Sequence, residues 1–328
     1  MPKLKNLLSL LLRVAISAAL LFALFKLNKI DLADLAKDIR GVEKLPLFMA
    51  FLAIMLTYLL SFWRWRMLLE ADGIKIPHKK LISSFCGGIF FSIFLPSTIG
   101  GDLVRTADLS VHTQKARQVI ATVFLDRLSG YIGLVLVVLP ALLFAGPLIG
   151  DKVVYLSVAV IVMLLVITLV FLFNSFIYEK VSGFLSASGS GRIREKIRDM
   201  HKEIHVFRRH GRMIILNLAL SLAIQLAFPL SVYFTGVSLG LGVKLSYFFI
   251  FIPIISAITL LPISLGGLGL REGLFVVYFA KVGVAKQLAL TMSLLFFSLV
   301  ILCGAIAGVI YVLTVHHRRL QHNQPSAV

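Results

Sequence analysis

The sequence predicts an all-α polytopic membrane protein, with about six complete spans and two re-entrant helical hairpins. Three observations lead there. Hydrophobic residues make up 59% of the 328 and charged residues 15%, which excludes a soluble globule with a polar exterior. The apolar runs are about 20 residues long, the length at which an α-helix crosses hydrocarbon with its backbone N–H and C=O groups satisfied internally. Two shorter apolar stretches each end at a proline and glycine cluster, where a helix stops. The alternating segments of about 10 residues that a β-barrel needs are absent.

The first run, 7–27, follows Lys3 and Lys5 and has no A-x-A site behind it, so it reads as an uncleaved span rather than a signal peptide. The other complete spans are 46–63, 119–145, 153–174, 213–236 and 287–313, and the short stretches are 81–95 and 246–261. Basic residues in short loops set orientation. Lys3 and Lys5 place the N-terminus in the cytoplasm, and Arg64, Arg66, Lys75, Lys79 and Lys80 do so for the loop after the second span. Arg105, Lys115 and Arg117 follow the first short stretch, so that stretch has cytoplasmic signals on both flanks: it enters and returns. Two short tilted spans in place of either hairpin would preserve the same parity.

Residues 175–212 form the only sizeable polar loop, rich in Lys and Arg and therefore cytoplasmic. Within it Ile193, Ile197, Met200, Ile204 and Phe207 recur at helical spacing, as in an amphipathic helix lying on the membrane surface. His201 and His205 share that helix without a third ligand, so no metal is expected. The chain thus reads as one transmembrane domain over 1–318. Its first half, 46–174, carries a re-entrant motif at 81–105, and its second, 213–313, carries one at 246–272. Residues 319–328 form a cytoplasmic tail. The net charge of +18 sits in loops, which suits anionic headgroups and topology better than nucleic acid. Cys86 and Cys303 are isolated in apolar segments and read as packing residues.

The two short stretches end alike. "FLPSTIGGDLVR" places Pro96, Gly100, Gly101 and Arg105 in the pattern P-x3-G-G-x3-R, and "LLPISLGGLGLREG" repeats it with Pro262, Gly266, Gly267 and Arg271. Shared spacing after a shared apolar run points to an internal duplication. Three complete crossings lie between the hairpins, so they open to opposite faces and the repeats are inverted, the arrangement by which transporters bring broken helices together at a midplane site.

The motif chemistry suits an anion. Pro96 and Pro262 stop the hydrogen-bond ladder, and Gly269 joins the paired glycines as a further breaker. The helix that follows would begin with free N–H groups, with Ser97 and Ser264 nearby as donors. An arginine within the membrane costs about 2.5 to 3.5 kcal/mol on insertion scales, so such residues face a cavity and a partner. Asp102, three residues from Arg105, and Glu272, beside Arg271, are candidate partners that neutralise the arginines or carry a proton. Asp126 and Arg127, early in the third complete span, form a third charged pair. Phosphate is the guest such donors favour.

Taken together, "LPSTIGGDLVR", "DRLSG" and "LPISLGGLGLREG" resemble the flippase-like transmembrane family typified by the N-terminal membrane part of bacterial lysylphosphatidylglycerol synthase. The resemblance implies movement of a lipid between leaflets of a bacterial inner membrane; the basic residues at each end of the chain place both termini in the cytoplasm. The family's synthase domain is not present in these residues, so no enzymatic activity and no cofactor are expected. The expected partners are membrane lipids with an anionic phospholipid or polyprenyl-phosphate headgroup, a second copy of the chain or a lipid-synthesis enzyme, and no nucleic acid. No P-loop pattern occurs, so ATP is not the driver within this chain. Three alternatives remain: a secondary transporter of a small anion, a membrane-embedded glycosyl or phosphoryl transferase, and a non-catalytic partner of a lipid-synthesis enzyme.

Overall fold

The computed structural model describes residues 14–20, 22–26, 32–94, 100–173, 211–260 and 264–322. Helices are the only regular structure among them. In chain order they are α1 (Val14–Lys26), α2 (Leu32–Arg40), α3 (Lys44–Ala71), α4 (His78–Phe94), α5 (Gly100–Thr113), α6 (Ala116–Ile149) and α7 (Lys152–Phe173). They continue with α8 (Gly211–Ser238), α9 (Leu245–Thr259), a 3-10 turn at Leu265–Gly267, α10 (Leu270–Ala280) and α11 (Lys286–His322). The protein is therefore an all-α polytopic membrane protein.

Five helices, α3, α6, α7, α8 and α11, are long and apolar enough to cross a membrane, and they coincide with five of the expected spans. The remaining expected span, 7–27, is described from residue 14, where α1 is a shorter apolar helix. Leu156, Met163 and Ile167 of α7 are exposed, as side chains solvated by lipid tails are. Two boundaries differ from the hydropathy reading. α3 continues past residue 63 to Ala71, which makes Arg64 and Arg66 helical rather than part of a loop. α11 runs to His322 and takes in the start of the expected tail. The amphipathic loop lies almost wholly outside the described residues, its last two positions, Gly211 and Arg212, opening α8.

The chain forms two compact units. Residues 1–59, 76–108 and 226–328 make the first, and 60–75 with 109–225 make the second. In the first, α4 lies along α11, and α10 packs between contacts to α9 and α11. The α4–α11 approach depends on missing side chains: Ile93 sits on Gly304, Phe90 on Gly308, and a Cβ at Gly87 would lie 2.8 Å from the Tyr311 ring. Two small residues four apart admit a partner helix closely, which in lipid is a main source of association. On the α9–α10 side the contact is aromatic, with Phe279 ring centroids 5.0 Å from Phe248 and 5.4 Å from Phe251. In the second unit, Leu128 of α6 packs with Leu165 and Leu169 of α7.

α4 has 17 residues and α9 has 15, so at about 1.5 Å per residue neither reaches the roughly 30 Å of a hydrocarbon core. Both run toward the repeated motifs, and both belong to the first unit.

Candidate functional site

Within the first unit, α4 and α5 are antiparallel. Lys80, near the start of α4, donates to Asp108, near the end of α5, at 2.5 Å, and Ser84 donates to the other oxygen of the same carboxylate. About one turn beyond Ser84, α4 meets the start of α5 backbone to backbone, since a Cβ at Gly101 would run into the Gly88 carbonyl oxygen. Helix α5 resumes at Gly100, so Asp102 and Arg105 fall on one face, as their spacing requires. They form an ion pair with Nη2 2.9 Å from Oδ1, their side chains only 7% (Arg105) and 15% (Asp102) exposed. Pro96 and Ser97 lie outside the described residues.

The second motif folds differently. Gly266, Gly267 and Gly269 take φ values of 56°, 82° and 81°, a region open to glycine and costly for other residues. The chain turns there, and α10 begins only at Leu270. Gly269 donates its N–H to Glu272 Oε2 at 2.6 Å. Arg271 donates to Glu272 Oε1 through Nε at 3.0 Å and also through Nη2. Ser293 of α11 donates to the same Oε1 at 3.4 Å, and the Arg271 guanidinium lies over the Phe297 ring at 4.0 Å. Glu272 is fully buried. Thus the N–H expected to be free at this helix start is held by the chain's own carboxylate. Ser264, 3% exposed, has a buried hydroxyl with no hydrogen-bond partner among the described residues. Pro262 lies outside them.

The two motifs share one compact unit, and α4, the helix leading into the first, packs against the Leu265–Gly267 turn of the second. Each motif is locally neutral, one arginine against one carboxylate. Burying an arginine alone would be costly, and the paired carboxylate offsets that cost.

Asp126 and Arg127 belong to the other unit, where Asp126 has a partner distant in sequence. Arg64 donates through Nε to Asp126 Oδ1 at 2.7 Å and through Nη1 to Ser221 Oγ at 3.1 Å, a buried pair. Gly130 leaves room for that guanidinium, 3.4 Å from where its Cβ would be. Sequence reasoning assigned Arg64 to a cytoplasmic loop because hydropathy falls at residue 63. Ser293, Phe297, Lys80 and Asp108 were also missed, since each acts through a residue distant in sequence.

Residues 10–308 match the family described as the lysylphosphatidylglycerol synthase TM region. The chain is also similar to the UPF0104 membrane protein PH1989 of Pyrococcus horikoshii, at 24% identity over 255 residues, which cover 71% of this chain and 76% of that protein. The chain belongs to the lysylphosphatidylglycerol synthase transmembrane family.

Proposed function

We propose that this member of the lysylphosphatidylglycerol synthase transmembrane family moves an anionic lipid, either a phospholipid or a polyprenyl-phosphate-linked carrier, between leaflets. The headgroup passes between the two motifs while the acyl chains stay in the bilayer. The observation that carries this reading is the pair of buried arginine–carboxylate contacts, Arg105–Asp102 and Arg271–Glu272, in one compact unit at two glycine-rich breaks. Arginines kept inside a membrane protein at such breaks are suited to receive phosphate, whose oxygens match the guanidinium fork. The short helices α4 and α9 support re-entrant hairpins opening to opposite faces of the cytoplasmic membrane, with both termini in the cytoplasm. The role is transport rather than catalysis.

The test is reconstitution in liposomes with fluorescent phospholipids or a labelled polyprenyl phosphate. Leaflet exchange is expected for the native protein and to be lost in Arg105→Ala and Arg271→Ala. Equal exchange in all three and in empty vesicles would sink the reading. Cysteine labelling at Ser110 and Lys281 checks the inverted arrangement: modification is expected from opposite sides, and modification of both from one side removes it.

A further inference from the structure

Glu272 occupies the place a substrate anion would take. Its carboxylate gathers donors from the Gly269 backbone, the Arg271 guanidinium and the Ser293 hydroxyl, and it has no exposure. Building on the anion-site reading above, we infer that an incoming phosphodiester displaces Glu272 from Arg271 and that Glu272 then takes up a proton, so that anion and proton bind together.

The charges around Glu272 support this exchange. Arg271 is the cation paired with it. Helix α11 contributes Ser293 and Phe297 there, the 3-10 turn contributes glycines, with Thr259 of α9 beside Gly267, and α1 brings Leu24 against Gly273; none of these is charged, and the cation of α1 among the described residues, Lys26, lies two residues beyond Leu24. Tyr278 and Lys281 lie at the far end of α10, and the basic residues of α4, Lys79 and Lys80, lie at the end of that helix away from its motif. Once phosphate oxygens hold the Arg271 fork, an ionised Glu272 would be a buried carboxylate without its counter-charge and beside a second anion. Burial and like charge both favour its neutral form. The balance is simple: one negative charge arrives with the ligand, one proton arrives from water, and the site's net charge is unchanged. The neutral acid still accepts the Gly269 N–H through its carbonyl oxygen, and its new O–H turns to Ser293 Oγ, which becomes the acceptor. A headgroup carried with its proton crosses without net charge, so a proton gradient can drive it.

The experiment is calorimetric titration of the full-length protein in nanodiscs with dihexanoylphosphatidylglycerol, a phosphodiester whose own charge is constant near neutral pH. It is run in two buffers of different ionisation enthalpy and repeated with dimethyl phosphate. The native protein should take up about one proton per ligand bound, and its apparent affinity should fall about tenfold for each unit rise in pH. Glu272→Gln should bind with no proton uptake and no pH dependence. Binding that depends on Arg271 but shows no buffer-dependent heat in the native protein overturns the proton step and leaves the anion site standing. That measurement needs no variant at position 272. Absence of Arg271-dependent binding of either probe overturns both. Proton uptake with the lipid alone identifies a lipid headgroup as the ligand, and uptake with both probes shows that the phosphodiester group suffices; each result supports the coupling.

Discussion

The two motifs have the same spacing and different backbones. In the first, Gly100 and Gly101 are already helical, and Gly101 is there because the Gly88 carbonyl passes where a side chain would stand. In the second, Gly266 and Gly267 lie in a positive-φ turn with open space around Gly266, and the helix waits until Leu270. The residue that separates the two courses is the third glycine: Gly269, with φ 81°, stands where the first motif has Leu103. Consequently Arg105 is deep enough in its helix to meet Asp102 across one turn, while Arg271, at the second helical position, pairs with its neighbour. The pattern fixes where each arginine stands, and the glycines do separate jobs, close approach in one motif and chain reversal in the other.

The sharpest way to break that comparison is to add side chains to both glycine pairs. Gly101→Leu drives atoms into the α4 backbone, and overpacking of this kind costs about 3 kcal/mol or more when the obstacle is backbone that cannot move aside. Gly266→Ala meets no neighbour and faces only the left-handed conformation, about 1 to 2 kcal/mol. Thermal unfolding in detergent should therefore show a much larger loss for the first. Equal losses would mean that the first motif is not a close helix crossing.

Arg271→Lys separates charge from geometry. Lysine keeps the positive charge and loses the fork that holds Glu272 Oε1 through two nitrogens. Leaflet exchange is expected to drop between about tenfold and a hundredfold, or about 1.4 to 2.7 kcal/mol. Full activity in the lysine variant would reduce Arg271 to a point charge.

How far the sequence was legible follows the range of each interaction. Hydropathy located five spans because lipid acts on every residue of a helix alike. The Asp102–Arg105 and Arg271–Glu272 pairs were legible because their partners are local, three residues and one residue apart. Arg64 was misplaced for the opposite reason: its partner, Asp126, is 62 residues away, and that pairing lets α3 carry a charge beyond the hydropathy boundary. Ser293 and Phe297 gave no signal, since a serine and a phenylalanine in an apolar helix are ordinary until the packing of α10 on α11 brings them to Glu272 and Arg271. The difference between the two glycine pairs was beyond reach for the same reason, because Gly88 supplies the constraint from another helix.

The smallest effect belongs to Phe297, and it asks whether the two arginines are held alike. Its ring lies 4.0 Å from the Arg271 guanidinium, a cation–π contact worth about 0.5 to 2 kcal/mol. Phe297→Leu keeps an apolar side chain on α11 and leaves the Arg271–Glu272 pair intact, so the fold should tolerate it. What it removes is the flat surface that fixes the plane of the fork. Binding of dihexanoylphosphatidylglycerol should weaken about tenfold or less, with the proton uptake per ligand unchanged, because Glu272 still loses its partner when the anion binds. If affinity is unchanged as well, the ring does not orient the guanidinium, and Glu272 alone sets the direction in which Arg271 meets the headgroup.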